Sequence, residues 1–177
     1  MKKKTLALVL ALTLLVAGIV GGTLAWLTDQ TAEVKNTFTV GDINIGLTET
    51  TADYKMVPGN TIAKDPTVTV KANSEACWLF VKVTESTDLK DFITYAIAEG
   101  WTALPSVDGV YYREVPASAA DQTFSVLAGD AVTVKSDVTR TMLETAKTDA
   151  PTLTFKAYAI QRDHFATADA AWAEVSK

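Results

Sequence analysis

The sequence holds a single cysteine, Cys77, and a single histidine, His164, and these two scarcities exclude more function classes than any motif it contains. One cysteine closes no intramolecular disulfide, so the fold must rest on its apolar core. Cys77 runs into Trp78, Leu79, Phe80 and Val81, which marks it as a small buried hydrophobe rather than a reactive thiol. One histidine removes the His-Glu-x-x-His zinc-protease motif, which needs two imidazoles on one helical face. A Ser-His-Asp relay would have to use His164, which stands at an expected helix start and reads as a solvated turn residue.

Other absences narrow the field further. No glycine-rich phosphate loop or dinucleotide fingerprint occurs, so no cofactor is assigned. There is no cluster of lysine and arginine to meet a phosphate backbone, which argues against nucleic acid as a partner. Asp42 and Asn44 lack the ligand density and glycine of a calcium loop, and no metal ligand set is assigned. Paired carboxylates exist, Asp88 with Asp91 and Glu49 with Asp53, but their spacing does not make them converge as acid and base, and they read as a solvated acidic face. No catalytic residue is assigned, and the chain does not read as an enzyme.

What the sequence does contain begins at its N-terminus. Lys2, Lys3 and Lys4 precede an apolar stretch at residues 6–20, loosened by Gly18, Gly21 and Gly22. Lysines held on the cytoplasmic side, an apolar segment entering the translocon and small residues before a peptidase site make a signal-peptide layout. Thr23, Leu24 and Ala25 satisfy the small-x-small rule, so residues 1–25 are expected to be removed by cleavage between Ala25 and Trp26. The alternative is an uncleaved membrane anchor, because residues 21–27 extend the segment toward the roughly 20 residues of a span. Cleavage removes three lysines and no acid, moving the net charge from −5 to −8 and leaving a soluble acidic domain at residues 26–177.

That domain reads as mainly β. Short period-two runs rich in Thr, Val, Ile and aromatics alternate with turn residues. Strands are expected at 34–40, with a bend at Gly41, and at 43–47. Pro58, Gly59 and Asn60 make a turn, and strands at 67–72 and 77–84 follow as an adjacent antiparallel pair. In the second of these, Cys77, Leu79, Val81 and Val83 form the face expected in the core. Residues 88–98 fit either helix or strand, and further strands are expected at 101–104, 110–115, 123–127, 131–134 and 153–161. Helices are expected at 138–147 and at 163–175, the latter capped by Asp163 with Phe165, Ala168, Trp172 and Val175 on one face. Eight to ten short strands with one or two short helices suggest a two-sheet antiparallel β-sandwich of jelly-roll type.

The junction between leader and domain carries the most specific pattern. Gly21-Gly22-Thr23-Leu24-Ala25-Trp26, followed by Asn36-Thr37-Phe38-Thr39-Val40-Gly41-Asp42-Ile43, resembles exported proteins of Gram-positive bacteria processed by a SipW-type signal peptidase, the TasA/camelysin family. Val57-Pro58-Gly59-Asn60 is similar to that family's Pro-Gly-Asp turn, with asparagine in place of aspartate. The resemblance implies a jelly-roll fold and a secreted structural protein of the biofilm matrix or cell surface, self-associating into fibres and open to other matrix proteins. It meets the membrane only before cleavage. Fibre assembly would proceed by an N-terminal strand of one subunit completing the sheet of the next, with 26–37 as the donor segment and Trp26, Leu27, Ala32 and Val34 as its apolar positions. Two alternatives stay open: a camelysin-like surface metalloprotease, and a monomeric adhesin binding through exposed Trp101, Tyr111 and Tyr112.

Overall fold

A computed structural model describes residues 42–50 and 55–177. The leader, the cleavage pair Ala25 and Trp26, the donor positions Trp26, Leu27, Ala32 and Val34, and the expected strand at 34–40 with its bend lie outside the described residues. In chain order the strands are β1 (Ile45–Thr48), β2 (Thr61–Ala63), β3 (Thr67–Val70), β4 (Cys77–Glu85), β5 (Ile93–Thr94), β6 (Thr102–Ala103), β7 (Val110–Val115), β8 (Gln122–Ser125), β9 (Ala131–Val134) and β10 (Leu153–Gln161). The α-helices among the described residues are short: α1 (Leu89–Phe92), α2 (Arg140–Ala146) and α3 (Ala168–Val175).

The mainly β, antiparallel reading holds, with three sheets among the described residues rather than two. Their orders are β1-β3-β8, β10-β4-β7-β6 and β2-β9-β5. β2 and β9 form the third sheet, and residues 88–98 extend it by adopting both conformations the sequence allowed: α1, then the two-residue β5, whose Ile93 pairs with Val134 of β9.

The first two sheets share the main core. Val68 and Val70 of β3 meet Cys77, Leu79, Val81 and Val83 of β4, joined by Val115 and Val126. This is the β4 face the alternation nominated. The opposite face was expected to be the lesser one, yet Trp78 and Phe80 are also buried, covered by Ala168, Ala171 and Trp172 of α3. The Phe80 and Trp172 rings lie 5.3 Å apart and the Trp78 indole donates to the Phe165 carbonyl at 3.2 Å.

Two local expectations are corrected. β3 and β4 do not pair; they face each other across the core, because Asn73 turns the chain with φ 63° and carries it from one sheet to the other. The crossing is pinned to the β7–β8 connection: the Asn73 amide donates to the Ser118 carbonyl at 2.7 Å and the Ala72 amide to Asp121 at 2.8 Å. The C-terminal helix starts at Ala168 rather than Asp163. Thr167 caps it, accepting from the Ala170 amide at 3.3 Å, while residues 162–164 form a separate 3-10 turn. Ala168, Trp172 and Val175 keep the expected face, and Phe165 joins the same cluster from the extended residue before the helix.

Two glycines with positive φ give a calibrated test of packing. A Cβ on Gly109 (φ +72°) would stand 2.6 Å from the Val83 carbonyl oxygen, whereas one on Gly59 (φ +80°) meets nothing within 4 Å. Gly59→Ala is expected to cost only the left-handed strain, about 1 kcal/mol. Gly109→Ala must also displace the Gly109 carbonyl that accepts from the Val83 amide at 2.8 Å, so a cost of about 2–4 kcal/mol is expected. Urea midpoints of the two variants check the order.

Candidate functional site

Among the described residues the longest strand edge left without a partner belongs to β10. It pairs with β4 at nine positions, from Leu153 opposite Glu85 to Gln161 opposite Cys77, and with no other strand among the described residues. A nine-residue strand presents an edge about 30 Å long of alternating N–H and C=O groups. Its core-facing side chains are Phe155, Ala157 and Ala159, opposite Val83, Val81 and Leu79. All three are only partly buried, although their β4 neighbours are covered. β1 lies alongside β10 and itself pairs only with β3; Leu47 there stays 37% exposed. On this side of the sandwich each sheet therefore ends in a strand whose outer edge is unpaired among the described residues, over a seam where Ala157 and Ala159 follow the larger Phe155.

The other side is closed. Residues 97 and 98 bridge to Leu127 and Val126, the Ala98 amide donating to the Val126 carbonyl at 2.9 Å, and β6 covers β7 at Tyr111 and Tyr112. The Gln122 amide donates to the Pro116 carbonyl at 2.8 Å. Between these crossings Arg113 fills the gap, its guanidinium 3.9 Å from the Phe124 ring centroid and 5.3 Å from that of Trp101. Burial lowers its pKa, and its Nε is buried without a hydrogen-bond partner. The two ring faces offset part of that cost. The sequence marked 110–115 only as a strand; a lone arginine among alternating apolar residues did not announce that it points inward.

Two aromatics of the adhesin reading, Trp101 and Tyr112, are committed to packing, and the third, Tyr111, packs partly against the core while also lining a surface cleft. Trp101 is 9% exposed and donates to the Ser125 carbonyl at 2.9 Å. Tyr112 stands edge-on to Trp78 at 5.8 Å, and Tyr111 packs against the main core. The paired carboxylates are similarly engaged: Glu49 bonds buried Lys64 at 2.6 Å and Asp88 accepts from the Ser86 hydroxyl at 2.9 Å. Asp53 lies outside the described residues. Asp42 accepts from the Asn44 side-chain Nδ2 at 2.8 Å.

Among the described residues no three of His, Cys, Asp and Glu converge. His164 is exposed in the 3-10 turn, and Cys77 is fully buried in the core. Zinc sites favour imidazole and thiolate ligands, and the described residues do not fit one.

Burial pushes the Cys77 thiol up from its ordinary 9.0 to about 11. Cys77 is expected to resist iodoacetamide at neutral pH in the folded protein and to react once urea unfolds it. A pKa higher in the folded chain than in the unfolded one means the fold holds that proton more tightly. The contribution is full below about pH 9 and is lost as pH rises toward 11, so the urea midpoint should fall across that window in the native protein and less so in Cys77→Ala.

The chain has no match among curated proteins or among solved structures. Its N-terminal half does match a family model, that of the camelysin metallo-endopeptidases, over residues 1–89, which run from the leader through β1, β3 and β4 to the first residue of α1. That match covers half of the sequence and includes both the junction and the Pro-Gly turn from which the resemblance was read, so the chain belongs to the camelysin metallo-endopeptidase family, the TasA/camelysin group.

Proposed function

We propose that the protein is an exported structural subunit of the extracellular matrix that assembles by strand addition at the outer edge of β10. The observation that carries this is the nine-residue edge left without a partner among the described residues, above a seam where Ala157 and Ala159 supply little bulk. An incoming strand would satisfy the free backbone groups of β10, each bond contributing a net ~0.5–1.5 kcal/mol, while its alternate side chains fill the seam. The segment at 26–37 suits that task, with Trp26, Leu27, Ala32 and Val34 as its apolar residues. Repeated head to tail, such a contact generates an open filament rather than a closed ring.

In this account the leader takes the chain to a SipW-type peptidase, cleavage before Trp26 frees the donor, and the product lies outside the cell, at the surface or in the matrix. Family membership supports the location, and the junction residues support the processing. A peptidase activity has the family's description in its favour; the poor fit of the described donors to zinc weighs against it, and chelator-sensitive casein cleavage lost in His164→Ala would support it.

Deleting residues 26–36 from the mature chain should leave a folded protein that forms no fibres under the electron microscope. Because the deleted chain keeps the β10 edge, it should also cap growing fibres when mixed in small proportion with the intact protein. Fibres unchanged by the deletion would overturn the proposal.

A further inference from the structure

A second feature lies away from the β10 edge. Where the end of β4 meets α1 and β5, the surface dips into a cleft of about 390 Å³, within the ordinary range for small-ligand sites. Tyr95, Tyr111, Lys90, Lys135 and Glu85 line it. Leu89 and Ile93, which also line it, are buried.

The charge arrangement is unusual for this chain. Acidic residues outnumber basic ones 21 to 16, yet neither Lys90 nor Lys135 has an ion-pair partner among the described residues. Two lysines sharing one cleft repel each other and are stabilised by an anion placed between them. The Tyr95 hydroxyl donates to Glu85 Oε1. Burial and that carboxylate raise the Tyr95 pKa well above its ordinary value, so the phenol keeps its proton and stays committed to Glu85. The other oxygen of Glu85 has no hydrogen bond among the described residues and is left to accept from a ligand.

We propose that this cleft binds a hexuronate unit of an acidic polysaccharide. Such a unit carries one carboxylate for Lys90 and Lys135, hydroxyl donors for Glu85, and an apolar C–H face for the rings of Tyr95 and Tyr111. An acidic peptide would bring carboxylates without the hydroxyl donors for Glu85 or the C–H face for the two rings. A phosphate dianion has no apolar face and meets Glu85 with two charges rather than one. A neutral sugar leaves the lysines unanswered. The inference does not depend on strand addition and would give a matrix protein a contact to polymers other than itself.

The test titrates the intact protein with an oligogalacturonate, an uncharged galacto-oligosaccharide and poly-glutamate of similar length, following amide and aromatic NMR signals. The oligogalacturonate is expected to shift Thr94, Tyr95 and Tyr111 and to weaken with added salt. The neutral oligosaccharide should bind at least about tenfold more weakly. The double substitution Lys90→Met and Lys135→Met, whose folding is checked by an unchanged melting temperature, should cost about tenfold or more in affinity for the uronate. Absence of shifts with the uronate, or unchanged affinity in the double variant, would overturn the proposal. Poly-glutamate binding as tightly as the uronate would overturn it in favour of an acidic-peptide site.

Discussion

Everything in this protein hangs on β4, which is paired along both edges and buried on both faces over its first half. Cys77, Leu79 and Val81 are inaccessible in the main core, while Trp78 and Phe80 are held under α3. Burying side chains of this size contributes about 1.5–3 kcal/mol each, and few other strands here collect that sum twice. Three sheets and a helix can share one short domain without a disulfide because they all converge, directly or through one neighbour, on this strand.

That central position also fixes where the molecule is incomplete. With β4 in the middle, β7 on one side is covered by β6 and by the crossings on either side of Arg113, while on the other side no strand among the described residues pairs with the outer edge of β10. The two sides differ in kind. One is plugged by a cation between two rings, which is poor ground for an incoming strand; the other is a long, regular edge above alanines. A strand edge of that length is normally shortened, charged or covered. Lys156 is the one charge on β10, exposed on its outer face near Tyr158 rather than aimed into the seam.

Much of this was legible in the residues. The alternation at 77–84, 110–115, 131–134 and 153–161 located four strands almost to the residue, because each is long enough for period two to stand out and is bounded by Gly, Pro or Asn. What the pattern could not give was partnership. β3 and β4 read as an adjacent pair because a polar turn separates two apolar strands, but Asn73 in the left-handed region turns between sheets rather than within one, and only the bonds to Ser118 and Asp121 reveal that. The second buried face of β4 was hidden for a related reason: Trp78 and Phe80 find their cover in a helix ninety residues away. At the edge, alternation identified Phe155, Ala157 and Ala159 as one face, but an unpaired strand and a paired one have the same sequence pattern. The cleft left even less trace, since Glu85, Lys90 and Tyr95 recur every five residues, an interval that matches neither strand nor helix, and Tyr111 and Lys135 come from two further stretches.

The account comes down to whether the outer edge of β10 is the surface that assembly covers. Amide hydrogen exchange in dispersed and assembled protein measures this directly. The amides of β4 should be protected in both states, whereas those of β10 that point away from β4 should exchange rapidly in the dispersed protein and become protected on assembly. Assembled material in which those β10 amides exchange as fast as before would contradict the account.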